Sequence, residues 1–363
     1  MKKTASGTRG MLILGIETSC DETAAAVVEK GRFVLSSVIA SQIADHRPYG
    51  GVVPEIAGRK HLENLVRVVQ SALDEAGVTP TDLGAVAVTS SPGLMGALLV
   101  GTSFGKALAM GWGVPLAEVN HLHAHALAIN LGGRSPRLPY LALVVSGGHT
   151  TLFRVSSALD LAILGQTRDD AAGECIDKVA KFLGLGYPGG AEIDRLAAGA
   201  NPKAVRFTRG LAHAKTLDFS FSGLKTAVVN HVLGTGRIKG PLNHQQAPPI
   251  SDRELRDLVA SFLEAVVDSL VGTTLRAAHE HGLSTVVVSG GVAANARLRV
   301  KMTAAGKAAG VRVLFPGREL CTDNAAMIAG AAWHLVRQKR FAGLDLRPSA
   351  KMKPGTCQDA RNV

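Results

Sequence analysis

The stretch "NHLHAHALAIN", residues 120–130, places His121, His123 and His125 in an otherwise apolar run of a chain with 12 histidines. On a helix, His121 and His125 share a face, whereas His123 lies about 200° round from His121. Two neutral imidazoles on one face can serve a transition metal, or they can simply pack. A third ligand from elsewhere would favour the metal. The best candidate is Asp323 in "ELCTDNAAMIAG", although an aspartate just before an apolar helix can also be that helix's N-cap. Zinc proteases carry two histidines four apart as H-E-x-x-H, but here Leu122 stands where the general-base glutamate is required.

A second chemical signal is a set of small-residue turns. Serine and glycine bring backbone N–H groups close to a ligand, and a following helix N-terminus adds a positive dipole end. The turns in "ETSCDET", "TSSPG", "VSGGHT" and "VSGGVAAN" are of this kind, which favours a phosphate-bearing ligand, although glycine turns also close strands in folds that bind nothing.

The elements that hold these turns repeat. Segments 12–30 and 141–155 each read as strand, polar hairpin turn, strand. Segments 85–101 and 285–300 each read as strand, small-residue turn, helix. The same order twice predicts an α/β chain of two similar lobes, with a cleft between them faced by both sets of turns. Within the first half, Leu62, Leu65, Val66, Val69 and Leu73 recur at helical spacing, and Gly77 offers a stop. Gly96, Gly101 and Gly105 on the next helix suit close approach of another helix, within the chain or between subunits. The second half is longer. Segments "DDAAGECIDKVAKFLGLGYPGG" and "LDFSFSGLKTAVVNHV" alternate polar and small residues beyond what a core needs, and 234–249 reads as an exposed loop.

Composition sets the bounds. With 363 residues and 46% hydrophobic content, the chain can build two cores, and 41 glycines with only 4% aromatics suit buried parallel strands and tight turns. Of the formal charge of +11, residues 1–10 supply +3 and residues 334–363 supply +5. Basic ends of this kind admit a polyanionic partner without requiring one. Cys20, Cys175, Cys321 and Cys357 form no CxxC pair, which argues against a disulfide framework or a zinc ribbon and fits a cytoplasmic protein. The longest apolar stretch, within 92–112, is broken by Ser103 and Lys106 and falls short of a membrane span; no secretory leader is expected.

The ordered motifs "GIETSCDETAAAVV", "GGVVPEIAGRKH", "SSPGLMGALLVG", "NHLHAH", "VSGGHT", "DDAAGECIDKVAKFLGLGYPGG", "DFSFSGLKT", "SGGVAAN" and "CTDNAAMIA" closely resemble the TsaD (Gcp) family, tRNA N6-adenosine threonylcarbamoyltransferases, over roughly residues 11–335. The resemblance implies an actin/sugar-kinase/Hsp70-like fold. It divides the chain into a basic tail at 1–10, a first lobe at 11–139, a second lobe with insertions at 140–322, a helix at 323–340 returning to the first lobe, and a basic tail at 341–363.

The resemblance also assigns residues. It gives His121, His125 and Asp323 to one divalent metal, with iron ahead of zinc, and leaves His123 without a ligand role. Val144, Val145, Ser146, Gly147, Gly148, Asp177, Gly190, Asp194 and Asn295 fall to the substrate, and Asp21 and Glu22 to catalysis. The glycines can equally be plain turn residues, and Asp194 a helix cap. The implied donor is threonylcarbamoyl adenylate and the acceptor tRNA, with a degenerate paralogue (TsaB) and a small ATPase (TsaE) as bacterial partners. Two other readings stand beside this one, a non-catalytic scaffold subunit and a small-molecule kinase of the same superfamily.

Overall fold

A computed structural model describes residues 10–133, 135–211, 215–234, 250–352 and 358–359. The N-terminal basic tail up to Arg9, most of the 234–249 loop, and Cys357 lie outside the described residues. The chain forms two compact units, one of Met1–Asp45, Val52–Pro136 and Asp323–Cys357, the other of His46–Gly51, Arg137–Thr322 and Gln358–Val363.

The first unit begins with an antiparallel meander, β1 (Leu12–Glu17), β2 (Glu22–Glu29) and β3 (Phe33–Ser41). The single turn α1 (Ile43–His46) and the long α2 (Pro54–Ala76) lead to β4 (Leu83–Ser91). Then follow α3 (Met95–Trp112), β5 (Leu116–Asn120) and α4 (His121–Leu127). The sheet runs β3-β2-β1-β4-β5, with β1, β4 and β5 parallel.

In the second unit, β6 (Tyr140–Val145), β7 (Thr150–Ser157) and β8 (Asp160–Gln166) form the same meander. Helices α5 (Ala172–Phe182), α6 (Gly189–Ala197), α7 (Ser222–Leu233) and α8 (Asp252–Glu280) precede β9 (Thr285–Ser289). After α9 (Ala296–Ala308) and β10 (Arg312–Leu314), the chain returns to the first unit as α10 (Ala325–Arg337). A two-residue strand, β11 (Gln358–Asp359), adds to the edge of the second sheet, whose order is β10-β9-β6-β7-β8-β11. Apart from β11, the two sheets share one topology. The duplicated order read from the sequence is therefore a duplicated fold.

Strand β1 is buried at every position because helices cover both of its faces. Leu12, Leu14 and Ile16 join Leu65, Val69 and Leu73 of α2 in one core. The opposite face carries Gly15, where a Cβ would lie 2.3 Å from the Ala325 carbonyl oxygen and 2.8 Å from the Ala329 nitrogen. Only glycine lets the N-terminal turn of α10 lie that close to the strand. Helix α2 ends as its spacing predicts, at Gly77 with a left-handed φ of 61°. Its apolar stripe is wider than its buried face, however, since Leu62 and Val66 are 66% and 67% exposed.

Several expectations change. Gly101 faces the loop after β1 and Gly105 faces β4, rather than another helix; a Cβ would meet the Thr18 hydroxyl or a Val88 methyl respectively, each at 2.1 Å. The segment following 167 does serve a core, because Cys175, Ile176, Val179 and Phe182 of α5 are buried in the second unit. Part of the C-terminal segment read as a solvated tail is strapped to the first unit. Ala342 N–H donates to Leu116 O (2.8 Å), Lys106 Nζ to Leu346 O (2.6 Å) and Ser349 N–H to Ser90 O (2.9 Å).

Helix α8 is apolar and long enough for a membrane span by length and composition, but 83% of its apolar window is buried in its own unit. A capping box starts it, with Ser251 and Glu254 exchanging side-chain to backbone hydrogen bonds of 3.0 and 3.3 Å. It is joined to α9 by ion pairs of Glu264 with Arg297 and Lys301, and of Asp268 with Lys301; Arg209 also pairs with Asp268.

Candidate metal centre and substrate turns

Strand β5 delivers the histidines. Asn120 ends it and caps α4, its Oδ1 accepting from Leu122 N–H (2.9 Å) and His123 N–H (3.1 Å), so His121 begins the helix and His125 follows one turn later. The two rings meet edge to face with centroids 4.7 Å apart. His123 is not among the clustered ligand atoms, and burial pulls its imidazole down to about 4.

Asp323 arrives from the other end of the sequence. The cap of α10 is Asn324, whose Oδ1 accepts from Met327 N–H at 2.9 Å. Asp323 is thereby released from capping, and its Oδ1 lies 3.0 Å from His125 Nε2 and 3.5 Å from His121 Nε2. One ligand atom from each residue falls within 4.8 Å of the others. Two imidazole nitrogens and a carboxylate oxygen at this spacing, mostly buried, fit a single transition-metal ion.

Behind His121 stands a residue that the motifs did not single out. Glu17, fully buried at the end of β1, accepts from His121 Nδ1–H (2.9 Å), Thr89 Oγ1–H (2.7 Å) and Ser19 N–H (2.5 Å). Its signal in the sequence is an acidic residue ending the otherwise apolar strand LILGIE. Among these protein groups, burial pulls His121 down, but the charges of Asp323 and Glu17 outweigh it and hold the imidazole up to about 10. The same imidazole, acting against burial, holds the Asp323 carboxyl well below the usual range.

Asp21 ends the β1–β2 turn of the same unit and Glu22 begins β2. Ser41 Oγ donates to Glu22 Oε1 at 2.8 Å. Burial pushes the Glu22 carboxyl up to about 7; the Ser41 bond opposes this, while the charges of Asp21 and Asp323 add to it. The turn rests on a buried network that sequence reasoning also missed. His61 of α2 donates from Nε2 to Cys20 O (2.9 Å), and its Nδ1 accepts from Thr23 Oγ1–H (2.7 Å).

The residues that the family resemblance assigns to the substrate lie in the second unit. Ser146, Gly147 and Gly148 form the β6–β7 turn, where His149 N–H donates to Ser146 Oγ (3.2 Å) and both glycines are exposed. Gly173 allows α5 to approach this turn, since a Cβ there would lie 2.6 Å from Ser146 O. Val144 and Val145 have fully buried side chains, which leaves only their backbone for a ligand. A chain of caps links the rest. Asp177 Oδ1 accepts from Gly189 N–H (2.8 Å) at the start of α6, beside Gly190. At the far end of α6, Asp194 Oδ2 accepts from Ala296 N–H (3.1 Å), and Asn295 Oδ1 accepts from Leu298 N–H (2.9 Å) at the start of α9.

Two sheets of one topology, one of them with a histidine–aspartate cluster beside it, define an α/β fold of the actin/sugar-kinase type that carries a candidate metal site. Solved structures agree on the fold. HypF from T. kodakarensis matches with a TM-score of 0.59 at 14% identity, covering 93% of this chain and 49% of that one. Component A of the (R)-2-hydroxyglutaryl-CoA dehydratase of Acidaminococcus fermentans matches at 0.54 and 15% identity, covering 90% and 100%.

The family model for TsaD, tRNA N6-adenosine threonylcarbamoyltransferase, matches residues 33–330, and the chain belongs to that family. A tRNA N6-adenosine threonylcarbamoyltransferase of Anaeromyxobacter dehalogenans (strain 2CP-C) is 53% identical over 335 residues, 92% of this chain and 97% of that protein.

Proposed function

We propose that the chain transfers the threonylcarbamoyl group from threonylcarbamoyl adenylate to N6 of the adenosine following the anticodon in tRNAs that read codons beginning with A, releasing AMP. The observation that carries this reading, beyond family membership, is the clustering of His121, His125 and Asp323 from segments about 200 residues apart. A scaffold subunit would not need that donor set, and a small-molecule kinase does not account for it.

His121 and His125, through Nε2, and Asp323, through one carboxylate oxygen, would hold one divalent ion, iron ahead of zinc. Such an ion supplies Lewis acidity to a bound carbonyl. The chain's own groups orient and discriminate. The N–H groups of the Ser146–Gly148 turn receive the donor's phosphate or carbamoyl oxygens, as small-residue turns do for anions. Asn295 uses its Oδ1 to cap α9 and so presents its amide NH2 to the sugar or base, while Asp177 and Asp194 fix α6 and with it Gly190. Asp21 and Glu22 serve the transfer. With its carboxyl near 7, Glu22 is suited to take the proton lost by the attacking N6 amine. Holding donor and amine together supplies several kcal/mol of the rate enhancement.

The tRNA partner is consistent with the formal charge of +11, and its single-stranded anticodon loop exposes the target base. The degenerate paralogue TsaB and the small ATPase TsaE complete the system in a cytoplasmic setting. The test is reconstitution on unmodified tRNA with those partners and the adenylate, using wild-type and His121→Ala proteins. Loss of both bound metal and modified adenosine in the variant is expected. Retention of both would refute the assignment.

A further inference from the structure

We propose that Glu17 is a positioning residue for the metal centre: its carboxylate fixes the tautomer and ring plane of His121 so that the Nε2 lone pair faces the ion. The inference rests on the metal reading above and goes beyond its three ligands.

Geometry carries it. Glu17 is completely buried on the face of β1 that also carries Gly15, and both of its carboxylate oxygens are engaged. Oε1 accepts from Ser19 N–H, and Oε2 accepts from Thr89 Oγ1–H and His121 Nδ1–H. Two donors from separate segments thus hold the carboxylate against one edge of the imidazole. A carboxylate only accepts, so Nδ1 must carry the hydrogen, and a neutral His121 then has its lone pair on Nε2. That atom is on the Asp323 side, 3.5 Å from Oδ1. A metal-binding histidine typically donates its second N–H to an acceptor of this kind, which orients the ring and raises its basicity.

His125 differs. Its Nδ1 is buried and has no hydrogen-bond partner among the described residues. The two imidazoles are therefore unequal ligands, and His121 is the one the protein pre-orients. Glu17 has a second effect, since its buried negative charge beside the cluster adds to that of Asp323 and favours a divalent cation over a neutral occupant.

Glu17→Gln preserves shape but not this function. If its amide nitrogen faces Nδ1, His121 is driven to the Nε2–H tautomer, which sets a proton where the lone pair should be. If its oxygen faces Nδ1, the charge is still lost and one of the donors to the side chain meets an NH2.

The experiment titrates metal-stripped wild-type and Glu17→Gln proteins with Co2+ against a chromophoric chelator, recording the ligand-field absorption and the melting of both stripped proteins. Expected are Co2+ binding weaker by about 10–100-fold in the variant and a shifted absorption band. Equal affinity with an unchanged band overturns the inference while leaving the metal reading intact. Should the wild type fail to bind Co2+, or bind it equally well as His125→Ala, the metal reading itself falls and takes this inference with it. If the melt shows Glu17→Gln unfolded, Thr89→Val carries the test by loosening the carboxylate while keeping every charge. Weakening by several-fold is expected there, and unchanged Co2+ affinity overturns the inference.

Discussion

At the scale of residues, the division of labour between Asp323 and Asn324 decides the site. Either side chain could cap α10, and the cap is Asn324, which leaves Asp323 for the histidines. Asn324→Ala is expected to cost about 1 kcal/mol of stability. It should also lower metal affinity, because Asp323 becomes the nearest replacement cap; thermal melts and metal analysis of the same preparation check both. Glu22 gives a pH signature. Its carboxyl stands near 7 in the folded chain, mainly through burial, against an ordinary 4.5. Between these values the folded chain keeps a proton that the unfolded chain has lost, so this residue's contribution to stability declines as pH rises through that window. Glu22→Gln is therefore expected to be more stable than wild type at pH 8 and about equal to it at pH 4, while losing transferase activity. Denaturation at the two pH values measures the first, and equal offsets at both would contradict it.

Elements set the distances between those residues. Helix α10 reaches the site because Gly15 lets it lie directly on β1. Gly15→Val, which replaces no ligand, should cost about 1–3 kcal/mol through overpacking and weaken metal binding with all three ligands present. A variant with wild-type metal content would show that the close approach does not position Asp323. Much at this scale was legible. The α2 stop at Gly77 follows from helical spacing and glycine's left-handed φ, and the shared face of His121 and His125 follows from their spacing of four. Gly101 and Gly105 of α3 were misleading, because a small-residue stripe records that something approaches closely but not whether it is a helix, and only Gly96 lies against one, α2. Leu62 and Val66 belong to the apolar periodicity of α2 and yet stay exposed, since the period of a pattern does not state how wide the buried face is.

For the molecule as a whole, the repeated order of hairpin and strand-turn-helix corresponds to two sheets with the same strand sequence. The ion pairs joining α8 and α9 belong to this scale, because α9 is capped by Asn295, a residue proposed to meet the substrate. The Glu264 carboxyl is held down to about 2, first by the hydrogen bond from Arg297, against the opposing effect of burial and with help from Lys301. A depressed carboxyl stabilises the fold above its ordinary value of 4.5, and that contribution is lost as pH falls toward about 2. Glu264→Gln is expected to lower the melting temperature at pH 7, with the gap to wild type narrowing below pH 4.5 and closing only near pH 2. A gap that does not change with pH would assign the loss to packing instead.

By itself the sequence determined the element types, the doubling of the fold and the family, and it nominated three candidate metal ligands, because periodicity, turn residues and ordered motifs are written along one chain. It could not assign the neighbours of each polar group. That Glu17 backs His121, that His61 supports the Asp21 turn, that Asp177 and Asp194 tie helix ends together, and that residues 342–350 strap the first unit all depend on contacts between distant segments. A hydrogen bond is fixed by distance and direction in space, and those are set only when the sheets and helices have packed.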